Sequence, residues 1–328
     1  MTAATGDILR LVRKGIDVTK VHANTRKPFR FYLCGDPALV ADMRSFLLSG
    51  NNVDGAPFEA AACLETIVPG VAQPTIASEA RAVLFLGRGG EVSGTTMAPL
   101  RTLNLPIIAI TVDDQAQPSG PASAPARGMF AEYTVPGITR EALRARVLPH
   151  IVDCAKGVEI AVGRCLPGMR ESVAAKLTRD AANNALKVAL ASAVVDHIPV
   201  VGLVVGVFAS AGDMVAITGI QMMLMLHIEA TYGRDPDVQR MWQLLPVIGG
   251  GFGWRSLARE LSGFIPVAGI AIKGAIAYAG TIVVGEGVTF YYEQGRHMSA
   301  TQAKSIYEST RNEALSFARD LLDRITKR

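Results

Sequence analysis

The hydrophobic positions of this chain fall into two regimes. In the first half, short apolar runs alternate with amphipathic stretches. In the second, apolarity is nearly unbroken over long segments. Ile198 to Ile228 carries a charge only at Asp213, and Gly263 to Gly285 only at Lys273. Each exceeds the ~20 residues that cross a bilayer. The two segments also resemble each other. Ile198-Pro199-Val200-Val201-Gly202 nearly matches Ile265-Pro266-Val267-Ala268-Gly269, and Gly206, Gly212 and Gly219 keep step with Gly274, Gly280 and Gly287. This predicts an internal duplication, a pseudo-symmetric pair of apolar helical hairpins. The pattern fits two settings. Gly202-x-x-x-Gly206 suits close helix contact in a membrane. Asp213 and Lys273 would each cost roughly 2.5–3.5 kcal/mol at the bilayer centre unless paired, which favours a soluble, self-associating bundle.

The first half reads as strand and helix in alternation. Phe29 to Cys34 is a strand, Gly35-Asp36-Pro37 a turn and Ala38 to Leu48 a helix. Residues Asn51 to Pro57 read as loop. Strands follow at Arg81 to Gly87, Pro106 to Val112 and Glu132 to Pro136, with a helix at Thr96 to Leu103 and a closing helix at Thr139 to Cys154. Near-continuous apolar strands separated by helices predict a parallel sheet covered on both faces. Before it, Asp7 to Val21 predicts a short basic amphipathic helix. Lys156 to Leu177, with Gly157, Gly163, Pro167 and Gly168, reads as a connection. Ser299 to Arg328 predicts an amphipathic helix capped by Ser299, with Ile306, Ala314, Phe317, Leu321, Leu322 and Ile325 on its apolar side. The expected organisation is a basic helix over residues 1–26, an α/β domain over 27–155, a linker over 156–173, an all-α apolar domain over 174–298 and a terminal helix over 299–328.

The order of elements from Lys27 to Ala155, with Ala82-Val83-Leu84-Phe85-Leu86-Gly87 and Leu105 to Asp114, resembles the G domain of Era-like small GTPases. The resemblance implies a P-loop GTPase-like fold. It also shows where nucleotide chemistry should sit. A phosphate loop needs G-x-x-x-x-G-K-[ST], for close backbone approach, phosphate charge and magnesium. Here the segment reads Gly35-Asp36-Pro37-Ala38-Leu39-Val40-Ala41-Asp42, with Ala41 and Asp42 in the Lys and Ser/Thr places. The D-x-x-G counterpart is Ile67-Val68-Pro69-Gly70, without its acid. The base-reading N-K-x-D counterpart is Thr111-Val112-Asp113-Asp114, keeping its last carboxylate. The site is thus a set of remnants, Gly35, Asp42, Gly70 and Asp114. No catalytic residue, cofactor or metal is expected.

From about Ala174 to Gly295 the chain resembles an uncharacterised helical domain that accompanies bacterial GTPase-like domains, a domain of unknown function (number 697). Asp196 to Gly202, Gln221 to Leu224, Gly251 to Glu260, Ile265 to Gly269 and Lys273 to Thr281 carry that resemblance. It implies membrane association and brings no catalytic residues.

Composition narrows the picture further. Apolar residues make up 49% of 328 positions and aromatics only 6%, so helix contacts rest on Ala, Val, Ile, Leu and Gly. The net charge of +4 is spread without a basic block, which argues against nucleic acid. Cys34, Cys63, Cys154 and Cys165 form no C-x-x-C pair, as expected of reduced structural cysteines. His197 and His227 stand alone at apolar edges, and Met222, Met223 and Met225 read as core filling. Arg255, Arg259 and Glu260 read as a solvated face. The first residues show no secretory signal, which predicts the cytoplasm or the cytoplasmic side of a bacterial inner membrane. The expected role is a non-catalytic, pseudo-GTPase adaptor or scaffold. Its expected partner is a protein, or another copy bound through the apolar helices, with a membrane in reach. The alternatives are a GTP-binding protein with an unusual phosphate loop and a soluble oligomeric structural protein.

Overall fold

The computed structural model describes residues 18–50, 60–68, 76–89, 91, 94–195, 204–240 and 268–326. The chain divides into two compact units. One comprises His22–Lys176 with Ala230–Arg234, the other Leu177–Glu229 and Asp235–Arg328 with the first residues of the chain.

The first unit is α/β. Its strands are β1 (Arg30–Gly35), β2 (Leu64–Thr66), β3 (Ala80–Arg88), β4 (Ile107–Val112) and β5 (Phe130–Val135). They form one all-parallel sheet in the order β2-β1-β3-β4-β5. All six residues of β4 are buried, as are the central four of β1. Such strands need cover on both faces, which is why they read as unbroken apolar runs. The helices are the second half of α1 (Val18–Thr25), from His22 on, with α2 (Pro37–Leu48), α3 (Gly94–Arg101), α4 (Arg140–Leu143), α5 (Val147–Cys154) and α6 (Glu159–Cys165). Leu39, Val40, Met43 and Leu47 give α2 its buried stripe. Tyr32, Val83, Phe85, Met97, Leu100, Ile107 and Ala109 share one core cluster. The Tyr32 hydroxyl accepts a hydrogen bond from the Ala77 N–H at 3.1 Å, so its one polar atom is partnered.

Three expectations need correction. The stretch between the expected loop at Asn51 to Pro57 and the strand at Arg81 to Gly87, where no element is expected, holds a 3₁₀ turn, Ala60–Cys63, and a fifth strand, β2, which pairs with β1. The closing helix from Thr139 to Cys154 is two helices. Pro149 lacks an N–H and is tolerated only in a first turn, so the helix restarts at Val147. The connection from Lys156 to Leu177 is no linker. It holds α6, a 3₁₀ turn at Pro167–Met169 and the start of the next helix, and Val158, Ile160, Val162, Leu166, Met169 and Val173 are buried.

The second unit is helical. It takes most of α7 (Arg170–Val195) and α8 (Val204–Thr231), with α9 (Ala268–Gln294) and α10 (Ala300–Thr326). Helix α9 lies so close to α7 that a Cβ at Gly285 would fall 2.2 Å from the Thr178 hydroxyl oxygen. Ala185, Ala189, Ile217 and Ala277 make a small-residue core between helices. Met222 and Met225 are buried, as expected, while Met223 is half-buried. Ser299 caps α10: its hydroxyl accepts from the Gln302 N–H, and the Gln302 side chain accepts from the Ser299 N–H at 3.1 Å. That reciprocal pair is a capping box. Among the described residues no helix is long and apolar enough to cross a membrane. Asp7 to Asp17, His197 to Gly202, Arg255, Arg259, Glu260, Ile265 to Val267 and the Asp213 side chain lie outside the described residues.

One buried charge is decisive in this unit. Glu229 is 1% exposed. Burial pushes its carboxyl above the usual range, opposed by the Asp237 N–H at 3.0 Å and by the Arg240 guanidinium. Removing one partner of a buried pair leaves an uncompensated charge, at a cost of roughly 3–5 kcal/mol. Arg240 is partly exposed, so the lower end applies: Arg240→Ala is expected to destabilise the chain by about 3 kcal/mol at neutral pH. The raised carboxyl takes up a proton in the folded state before it does so in the unfolded chain. The deficit should therefore be largest above the folded-state pKa and shrink as pH falls through it. Urea unfolding at several pH values checks this, and Glu229→Gln should remove most of both the deficit and its pH dependence.

Candidate functional site

In an open parallel sheet, ligands bind outside the carboxyl ends of the strands, where successive crossovers diverge. In this sheet that switch point lies between β1 and β3. The turn at Gly35-Asp36 with the start of α2, and the end of β3 at Gly87-Arg88, lie there.

Gly35 adopts φ +115, and a Cβ on it would stand 1.9 Å from the Leu86 carbonyl oxygen. No side chain fits. The close approach lets the Asp36 N–H donate to that same carbonyl at 2.8 Å. Gly35 is therefore needed for the contact of β1 with β3, whatever else happens at this edge.

Helix α2 begins immediately after. A helix N-terminus offers unsatisfied N–H groups and a positive dipole end, and so holds anions. Here those donors are taken. Pro37 has none. The Asp36 carboxylate accepts from the Ala38 N–H at 2.9 Å and the Leu39 N–H at 3.0 Å. The Val40 N–H donates to the Asp36 carbonyl at 2.9 Å. The chain's own carboxylate occupies the place where a phosphate would bind.

The same closure recurs along the edge. Glu91 folds back so that its carboxylate accepts from the Arg88 N–H at 2.7 Å, and a Cβ at Gly87 would meet that oxygen at 3.0 Å. After β4, the Asp113 carboxylate accepts from the Gln115 N–H at 3.0 Å. Each loop satisfies its own backbone with its own acid. Among the described residues, the edge gathers Asp36, Glu91, Asp113 and Asp114 against the single cation Arg88 at the end of β3, a net negative sign that repels nucleotide phosphates.

The four remnant positions do not form one site. Gly35 and Asp114 stand at the carboxyl ends of β1 and β4. Asp42 is exposed on α2, more than a turn past its start, and Ala41 is exposed beside it. Gly70 lies outside the described residues. Sequence reasoning missed Glu91 altogether and took Asp36 as part of a turn. The signal was present: Asp-Pro at the start of an apolar-periodic stretch is an N-cap followed by the favoured first-turn proline.

Elsewhere the polar groups are structural. The Tyr133 hydroxyl and His150 Nδ1 lie 2.5 Å apart in the buried core. Desolvation pushes the Tyr133 phenol up to about 12, so it keeps its proton. All four cysteines are free. Burial raises Cys34, Cys154 and Cys165 to about 12 and Cys63 to about 11, which makes them poor nucleophiles and poor metal ligands. His227 is pushed down by burial; His197 lies outside the described residues. Among the described residues, no group of three or more His, Cys, Asp or Glu could hold a metal ion.

The chain matches no family model, and no curated protein or solved structure matches it either.

If Asp36 is an N-cap, Asp36→Ala should cost about 1 kcal/mol of stability, and Asp36→Asn or Asp36→Ser only a few tenths. Chemical denaturation of the three variants gives the comparison.

Proposed function

We propose that this protein is a non-catalytic, GTPase-like adaptor: an α/β domain with the architecture of a G domain and a closed phosphate site, joined to a helical domain that carries the partner contact. One observation carries the reading. Every N–H in the first turn of α2 is already used, two of them by Asp36. A phosphate would have to displace a carboxylate held by two backbone bonds, and Ala41 and Asp42, exposed on α2 beyond its first turn, supply neither a cation nor a hydroxyl. Charge-assisted contacts of that kind are worth about 1.5–3 kcal/mol each. Their loss, together with the repulsion, accounts for a scaffold that kept the layout and lost the chemistry. A fold by itself does not carry the function of other proteins that share it.

The helical domain supplies the other half of the reading. Its second and third helices are rich in Gly, Ala, Val and Ile, and its internal near-repeat supports a pseudo-symmetric unit that associates with a protein partner or another copy. Association with the cytoplasmic face of a bacterial inner membrane belongs to the same reading, suggested by the unbroken apolar sequence of Ile198 to Ile228 and Gly263 to Gly285. Among the described residues no helix is long and apolar enough to cross a membrane.

Titration with a fluorescent GTP analogue and magnesium tests the reading. No saturable binding is expected. Ala41→Lys combined with Asp42→Ser should restore neither binding nor turnover, because Asp36 still holds the amides and the switch residues are still missing. Saturable binding by the wild type would instead establish a GTP-binding protein with an unusual loop, and turnover in the double variant would overturn the adaptor reading outright.

A further inference from the structure

The opposite end of the sheet is organised in the reverse sense. Lys27 leads into β1, Glu79 and Arg81 flank the start of β3, and Lys156 and Gly157 turn the chain between α5 and α6. Together with Ser78 they line an open cleft of about 480 Å³, within the size range of small-molecule sites. The Lys27 ammonium donates to the Gly157 carbonyl at 3.0 Å and so joins two walls of the cleft.

Its charges are unbalanced. Three cations line it against one carboxylate, Glu79, which is already engaged; the neighbouring Glu159 carboxylate is tied to the Gly157 N–H at 2.8 Å. Glu79 accepts from the Arg30 guanidinium at 3.1 Å and the Ser78 hydroxyl at 3.3 Å. Hydrogen bonding to its own backbone N–H and the charge of Arg30 hold it below the usual carboxylate range. Among the described residues no acid pairs with Arg81 or Lys156. Arg81 is half-buried, and its Nε is buried without a hydrogen-bond partner. Like charges gathered at a concave surface repel one another and focus a positive potential into it.

We propose that this cleft binds a phosphate-bearing anion. A phosphomonoester group carries close to two negative charges and three acceptor oxygens. Arg81 offers directional N–H donors to two of them, and Lys27 and Lys156 add mobile point charges. A lone carboxylate would leave most of that charge unmet. Glu79, tied to Arg30, leaves the cleft no free base, and the carboxyl edge where such sheets do chemistry is at the far end. The site therefore serves binding. The phosphate can belong to a soluble ester or to a lipid headgroup at the open mouth.

The full chain tests this in two arms: calorimetric titration with inorganic pyrophosphate and with glycerol 3-phosphate, and flotation on phosphatidylcholine vesicles with and without phosphatidic acid. Binding in the first arm assigns a soluble ligand. Binding confined to the second assigns a headgroup. In either case Arg81→Gln and Lys156→Gln should each weaken binding about tenfold or more, at an unchanged thermal midpoint. Should Arg81→Gln fail to fold, Lys156→Gln decides, because that side chain is on an exposed turn. No binding in either arm, or binding that both variants leave intact, overturns the proposal. Neither result bears on the carboxyl edge, where nucleotide titration reads separately.

Discussion

Two backbone hydrogen bonds to one carboxylate govern what this α/β unit can do. By taking the Ala38 and Leu39 N–H groups, Asp36 starts α2, fixes the turn after β1 and occupies the anion site that a helix N-terminus otherwise offers. The preceding residue leaves little choice about where this happens. Gly35 must sit against the Leu86 carbonyl for β1 and β3 to pair to their ends, so the turn is pinned at the switch point of the sheet. A loop that wrapped a phosphate would need those amides free and turned outward. The cap that stabilises the fold and the site that would bind nucleotide compete for the same atoms.

The sheet is thereby polarised. At its carboxyl end, acids gather and satisfy their own loops. At its amino end, Arg81 and Lys156 have no acid partner among the described residues, and Lys27 donates only to a carbonyl. This reverses the usual arrangement of an open α/β sheet, in which the ligand sits at the carboxyl end. The charge pattern and the backbone hydrogen bonds agree on it independently.

Much of this layout is legible in the sequence. The four long strands lie within about two residues of their expected runs; β1, β3 and β4, covered on both faces, have no polar face to blur them, while the edge strand β5 is legible only from its shorter apolar stretch. Strand β2 was not legible, since Leu64–Thr66 is three residues long and gives no run. The misread connection after α5 is more instructive. Gly163 and Gly168 look like chain breakers. In the fold they are contact points: a Cβ at Gly163 would stand 2.3 Å from the Thr231 methyl carbon, and one at Gly168 2.4 Å from the Phe46 carbonyl oxygen. Pattern alone cannot separate a glycine that bends the chain from one that admits a neighbour. The site was half legible. Absent residues at Ala41 and Asp42 can be read from spacing. The closure by Asp36 and Glu91 depends on which backbone donors each acid reaches, and the amino-end cleft joins residues more than a hundred positions apart.

Residue-resolved amide NMR of the full chain, titrated with GTP and magnesium to millimolar concentration, tests the central claim most directly. The account predicts that the Gly35 to Val40 amides, Ala38 and Leu39 above all, hold their shifts throughout. Saturable shifts of those two amides would mean that phosphate displaces Asp36, and would contradict it.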